Sequence, residues 1–287
     1  MSNVAVVTDS CASIPEEIMN QLHIRTVAYY IHRGQEVLRD LVTIQRDEFL
    51  RWLMTARSLP TTASPGPGDY FRTYKDLAVS GLNKIISIHM TAKASAAYQA
   101  ATVAQKMMRD EFPDVNIEVI DTNNASLCQG WMVIEAARAA LAGISLDQIT
   151  ANVKKMIPVS HMIQTADTLK YLYMGGRIGK AQQLMGNLLN IKPIVGMEDG
   201  IIVPLGRAHT RGQAYQQMAD MVADAIGKGK AKVAYVHAGA QHEVEKLKEL
   251  VETKVNVAES FFAELSPVLA VHTGPGTAGL CYYPVED

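Results

Sequence analysis

The sequence predicts an α/β protein in two parts. Residues 1–155 read as a mostly parallel sheet covered by helices, and residues 156–287 as an α+β part with a mixed or antiparallel sheet, whose last strand can return to the first part. Three observations carry this reading. Short β-branched runs alternate with Ala-rich helical stretches through the first half, which is the rhythm of parallel strands joined by crossover helices. After Gly143 that rhythm gives way to hairpin signals among helices. The length of 287 residues suits two domains of ordinary size, and neither a flexible linker near residue 155 nor an internal repeat interrupts it.

Each element has a local reason. Residues 4–7 are a short apolar strand with Asp9 and Ser10 at its carboxyl end. Ser13 then reads as the start of a capping box with Glu16, with Pro15 in the first helical turn. Residues 25–31 read as one strand, turned back by Arg33-Gly34 through 36–38. Thr43 reads as the N-cap of a helix reaching about Met54, and the Thr/Pro/Ser/Gly-rich stretch 60–68 as loop. Helix 70–79, strand 84–89, helix 95–111, strand 116–120 and helix 126–141 complete the first part. In the second, Ser145 caps a helix to about Met156 and 162–165 is a strand. Asp167 caps a short helix stopped by Gly175-Gly176. Residues 191–197 and 201–205 flank Glu198-Asp199-Gly200, a hairpin signal. A helix at 211–226, a strand at 232–236, a helix at 243–251 and a strand at 257–263 follow.

Composition narrows the function classes. Apolar residues make up 48% and charged residues 20%, an ordinary globular balance. Lys plus Arg number 27 against 29 Asp plus Glu, which leaves no basic footprint for nucleic acid or an anionic membrane. No apolar run approaches the roughly 20 residues of a membrane span, so stable membrane insertion is not expected. Residues 1–9 lack the basic and apolar regions of a secretory signal, and a cytoplasmic location is the expectation. Cys11, Cys128 and Cys281 are far apart and match no metal or redox spacing; reduced thiols are expected.

Several motifs fail on context. Residues 274–279 spell GxGxxG, but a dinucleotide site needs a following helix, and the eight residues left look like a strand. No Walker A lysine, HExxH, clustered Cys/His set or GxSxG occurs. No cofactor and no metal are expected.

Four polar segments stand where loops meet strand ends: 61–65, 91–95, 121–126 and 272–276. Ligands of open α/β sheets bind beyond the carboxyl ends of strands. Ser95 opens an Ala-rich helix, where its hydroxyl can cap the helix or donate to an anion held there. Thr61 and Thr62 are turn formers or ligand contacts. His272 is a donor to a carboxylate or a satisfied histidine. Arg177 follows the paired glycines, and Arg207 and Arg211 bracket His209; these arginines are a solvated edge or a docking patch.

Taken together, these segments resemble the DegV family nearly end to end. The likeness rests on 7–10, 60–65, 94–99, 120–122, 169–178, 188–194, 207–211 and 272–276. It implies two α/β domains holding one long-chain fatty acid, presented to a separate fatty acid kinase that makes an acyl phosphate for phospholipid synthesis. It implies carboxylate contacts from Thr61, set against the threonine of Thr-Ser-Gln-Pro-Ser, from Ser95, set against the serine of Leu-Ser-Gly-Thr-Tyr, and from His272. Thr62, Ser64, Thr91 and Ser126 are further candidates for the headgroup region. Arg177, and with it Arg207 and Arg211, would face the kinase. The chain departs at Ala63, where the family has other polar residues, and at Ala96-Ala97, where it has Gly-Thr. No lysine or arginine stands obviously beside the hydroxyls.

A C16–C18 chain buries well over a dozen methylenes, each worth roughly 0.8 kcal/mol, so affinity would come from the walls and orientation from a few polar groups. The fourteen Met residues suit an adaptable wall. Two other functions stay open: an enzyme, either a small hydrolase or a relative of dihydroxyacetone kinase substrate domains, and a lipid-sensing regulatory protein.

Overall fold

A computed structural model describes residues 4–185 and 191–285. Part of the expected 188–194 segment, Leu188 to Asn190, lies outside the described residues. In chain order the first part comprises β1 (Ala5–Asp9), α1 (Glu16–Gln21), β2 (Arg25–Val27), β3 (Tyr30–Arg33), β4 (Glu36–Arg39), α2 (Arg46–Thr55), β5 (Thr61–Ala63), α3 (Pro67–Val79), β6 (Lys84–His89), α4 (Ala97–Glu111), β7 (Asn116–Asp121), α5 (Ser126–Leu141) and α6 (Leu146–Met156). The second comprises β8 (His161–Thr165), α7 (Lys170–Met174), β9 (Lys192–Glu198), β10 (Ile201–Ala208), α8 (Arg211–Ile226), β11 (Lys230–His237), α9 (Gln241–Glu252), β12 (Asn256–Glu264), α10 (Pro267–Thr273) and β13 (Ala278–Val285).

The α/β class is as the alternation predicts. One sheet, in the order β2-β1-β6-β7, is parallel throughout. Its central strand β1 is buried along its whole length, as a strand covered on both faces must be. A six-stranded mixed sheet runs β10-β9-β8-β13-β11-β12, with only the β11–β12 pair parallel. Alternate residues of β11 serve two cores: Val233 and Tyr235 face one containing Tyr215, Met218 and Leu247 of α8 and α9, while Ala234 and Val236 join the core of the parallel sheet.

Between the two sheets lies α5. It buries twelve of its sixteen residues, which a helix does when apolar surface surrounds it. It packs on β1 and β6 from one side and on β8 and β13 from the other. Its Trp131 meets Phe261 at 4.9 Å and Tyr283 at 5.7 Å between ring centres. The change of sheet falls between α6 and β8, but one hydrophobic core runs across it.

The structure corrects several local readings. The stretch 25–31 is two strands, because Ala28-Tyr29 carries the chain from the parallel sheet into a small antiparallel sheet, β4-β3-β5. The stretch 60–68 is not all loop: Thr61–Ala63 pairs with β3 in the register Ile31↔Thr62 and His32↔Thr61, and Pro67 starts α3. Ser13 has φ 52, outside the extended region an N-cap needs; its Oγ accepts the Ser266 N–H at 3.0 Å instead. Thr43 precedes α2 by three positions, and its Oγ1 accepts the Arg39 N–H at 2.7 Å. Asp167 does not cap α7; Thr168 Oγ1 accepts the Lys170 N–H there. The last strand, β13, does not return to the first part but sits between β8 and β11. The hairpin at Glu198-Asp199-Gly200 is as read, with φ of 48° and 76° at Asp199 and Gly200, the left-handed pair that a tight two-residue hairpin turn requires.

Candidate ligand-binding site

Beyond the carboxyl ends of β1, β6 and β7 lies a cavity of about 550 Å³. Cys11 reaches it from the turn after β1, Met90 and 93–96 from the segment after β6, and Ala125 and Ser126 from the start of α5. The small sheet adds Thr62 and Ala63, and Ser64 follows them. The second part closes it with Met162, Leu172, Met197, Ile201, Ile202, Val268 and Leu269. Apolar side chains make up much of the wall; its polar members include Thr62, Ser64, Ser95, Gln164, Arg177 and His272. The size is that of a small-molecule site.

Thr62 and His272 meet here, with Oγ1 2.9 Å from Nε2. The other ring nitrogen, Nδ1, is buried without a partner among the described residues and faces Gly175. A neutral imidazole carries one proton. With the proton on Nε2, that N–H donates to Thr62 Oγ1 and leaves the threonine's own proton free; with the proton on Nδ1, a buried N–H would have no acceptor among the described residues, the costlier arrangement. Burial, and then the nearby Arg177 charge, push His272 down to about 4, so the ring is neutral at neutral pH. Gly175 belongs to this arrangement by its size: a Cβ there would run into His272 Nδ1.

Ser95 bonds the start of α4 and also stands on the cavity wall. Its Oγ accepts the Ala97 N–H at 3.2 Å. Tyr29 Oη lies 2.5 Å from the same oxygen. Arg177 stands exposed on the rim, with Nη1 donating to Gly175 O at 2.7 Å and Nε to Ala94 O at 3.4 Å. Lys93, also exposed, shares that rim. The site therefore has two cations beside its hydroxyls, contrary to the expectation that it lacked any.

Thr61 is corrected. It is exposed and absent from the cavity wall, because successive side chains of a strand point to opposite faces and its neighbour Thr62 takes the inward one. A signal for this was present in the sequence: Thr-Ser-Gln-Pro set against residues 62–65 matches both threonine and proline, whereas the alignment on Thr61 leaves the proline unmatched. Thr91 is corrected as well. Its buried Oγ1 donates to Gly200 O at 3.1 Å and accepts the Lys93 N–H at 3.2 Å, so it ties the parallel sheet to the β9–β10 turn. Ser64 and Ser126 are on the wall; Ser126 has φ 55, and its Oγ has no partner among the described residues. Arg207 is exposed. Arg211 is engaged within the chain, with Asp167 at 2.9 Å, Gly276 O at 2.8 Å and Tyr215 Oη at 3.1 Å, so its guanidinium has little left for a partner.

The sequence reading missed a buried layer beneath the cavity. Asp9 Oδ2 lies 3.0 Å from His89 Nδ1, and His89 Nε2 lies 2.7 Å from Ser87 Oγ. The order Ser-His-Asp matches that of a hydrolase triad. Yet all three residues are fully buried, none lines the cavity, and Tyr74 donates to Ser87 Oγ at 2.8 Å. No substrate reaches that serine. Asp9 also accepts the N–H of Cys11 at 3.1 Å and of Met90 at 3.4 Å, so the array fixes two wall residues. Ser87 and His89 are two apart on one strand, the single local hint of it.

Among the described residues, no helix is long and apolar enough to cross a membrane, and no group of three His, Cys, Asp or Glu could hold a metal.

A family model described as "Uncharacterised protein, DegV family" matches residues 3–285. The chain is similar to a solved DegV family protein from Thermus thermophilus described for fatty acid binding, with 30% identity, coverage of 99% of this chain and 100% of the other, and a TM-score of 0.91. It is similar to DegV of Bacillus subtilis, described as a fatty acid binding protein, with 28% identity, coverage of 99% and 100%, and a TM-score of 0.86. A DegV domain-containing protein of Streptomyces coelicolor is 32% identical over 279 residues, 97% of each chain.

Proposed function

The chain belongs to the DegV family, and from that premise we propose that it holds one long-chain fatty acid in the cavity and presents the carboxylate to a fatty acid kinase. The observation that carries this reading is the composition of the cavity wall: apolar side chains such as Met90, Met162, Leu172, Met197 and Ile202 share it with the hydroxyls of Thr62 and Ser95, and Thr62 is bonded to His272. The fatty acid binding described for the Thermus thermophilus and Bacillus subtilis proteins supports the same ligand class.

The two neutral hydroxyls orient the carboxylate, and Lys93 and Arg177 on the rim offset its charge. Burial of about fourteen methylenes contributes on the order of 10 kcal/mol before association costs. The chain contributes no catalytic group; phosphoryl transfer belongs to the kinase, and the acyl phosphate feeds phospholipid synthesis. Arg177 and Arg207 serve as the outward contacts with that partner in a cytoplasmic setting, while Arg211 holds the loop at Gly276 in place.

Native mass spectrometry of the protein purified from a bacterial host tests this reading. One added fatty-acid mass per chain is expected. A clean apo mass, together with turnover of a soluble ester, would overturn it in favour of an enzyme.

A further inference from the structure

Building on the fatty-acid reading above, we infer that Tyr29, whose hydroxyl lies 2.5 Å from Ser95 Oγ at the cavity wall, is a positioning residue that makes Ser95 a one-way donor to an ionised headgroup.

Tyr29 sits where the chain passes from β2 to β3. Its residue surface is only 4% exposed, and its backbone N–H donates to Ser10 Oγ at 3.1 Å. The ring is therefore held from behind while its hydroxyl reaches the cavity.

A serine oxygen has one proton and two lone pairs. The Ala97 N–H fills one lone pair at 3.2 Å. The phenol proton of Tyr29 needs an acceptor, because buried O–H groups are hydrogen-bonded. Two side-chain acceptors are within reach, Ser95 Oγ at 2.5 Å and the Cys11 sulfur; sulfur is a weak acceptor, so the phenol proton goes to Ser95. Burial holds the phenol well above its ordinary range, so it remains a donor at neutral pH. With both lone pairs taken, Ser95 has only its proton to offer, and the open space it faces is the cavity.

The consequence is selectivity for headgroup chemistry. An ionised carboxylate has acceptors only and matches that proton. An alcohol oxygen can also accept that proton, but uncharged it makes the weaker bond, and its own O–H finds no lone pair on Ser95. Thr62 differs: His272 occupies at most one of its lone pairs, so the one-way restriction belongs to Ser95.

Titration of the delipidated full chain with hexadecanoate and with hexadecan-1-ol tests the inference. Tyr29→Phe keeps the ring and should weaken hexadecanoate roughly tenfold, the loss of about one oriented hydrogen bond, while weakening the alcohol much less. In a Ser95→Ala background, Tyr29→Phe should cause no further loss, since its effect passes through Ser95. Additive losses, equal losses for both ligands, or unchanged hexadecanoate binding would overturn the assignment. If melting shows that Tyr29→Phe does not fold, Ser95→Ala decides alone: it must lower the preference for hexadecanoate over the alcohol, and an unchanged preference refutes the donor argument. A parent chain that takes up neither ligand refutes the fatty-acid reading itself, whereas a parent that binds and a Tyr29→Phe chain that binds equally well refute only the role of Tyr29.

Discussion

Thr62 Oγ1 and His272 Nε2 lie 2.9 Å apart although 210 positions separate them in the chain. This bond links the small antiparallel sheet to α10 at the cavity wall, and joins the Ser266–Ser13 and Val268–Asp40 bonds in tying the two parts of the chain together. It also sets which threonine can act on a ligand.

Thr62→Ala should weaken binding of hexadecanoate roughly tenfold, about one hydrogen bond to a charged group, and should lower acyl phosphorylation with it. Thr61→Ala should stay within about twofold, as an exposed substitution away from the cavity does. Equal effects at the two positions, measured by titration of delipidated protein, would contradict the placement of Thr62 on the wall.

Gly175→Ala introduces a Cβ into His272. The expected cost is about 1–3 kcal/mol from overpacking, seen as a lower melting temperature together with weaker ligand binding as Thr62 loses its partner. Gly176→Ala strains only the backbone, at φ 69, and should cost on the order of 1 kcal/mol with binding largely kept. Matching binding losses in the two variants would count against a steric role for Gly175.

Asp40 makes stability depend on pH. Burial is the main cause lifting its carboxyl from 3.8 to about 7, against the opposing pull of Ser10, the Val268 N–H, Arg46 and Ser266. Between those values the folded chain binds more protons than the unfolded one. The contribution of Asp40 to stability is therefore fully present below about pH 4, falls as pH rises toward 7, and levels off above that. Asp40→Asn should remove this decline, a gain on the order of a few kcal/mol at pH 8. Melting temperatures of parent and variant that stay parallel from pH 4.5 to 8 would show that Asp40 does not titrate in that window.

Arg177→Ala should leave the acyl chain bound, because the walls supply most of the affinity, and should raise the Michaelis constant of the kinase for the loaded protein several-fold, as loss of a rim charge does at a partner surface. An unchanged constant would remove Arg177 from the docking surface.

Much of this was legible locally. The alternation of strand and helix, the hairpin at Asp199-Gly200 and the Ser145 cap depend on neighbours in sequence, and each stands as read. Ser95 and His272 were legible as cavity candidates because each sits beside a segment break at the end of an element. Thr61 misled because the strand that decides its direction, β5, exists only through its pairing with β3; three residues carry too little periodicity to reveal a face. Asp167 misled in the same way, its carboxylate being drawn to Arg211 and Lys192 rather than to the helix beside it.

By itself the sequence determined the α/β class, the order of the longer strands and helices and several of the hydroxyl and basic residues from which a headgroup site could be made, since periodicity and turn chemistry are properties of adjacent residues. Only the tertiary structure decided that Thr62 and not Thr61 faces inward, that Tyr29 stands behind Ser95, that Arg211 is ion-paired with Asp167 while Arg177 stands exposed with bonds only to backbone carbonyls, and that a Ser-His-Asp array is sealed in the core. Each of those outcomes rests on strand pairing or on contacts between residues far apart in the chain, where burial and the need to satisfy every buried polar group select one arrangement from many that the local sequence allows.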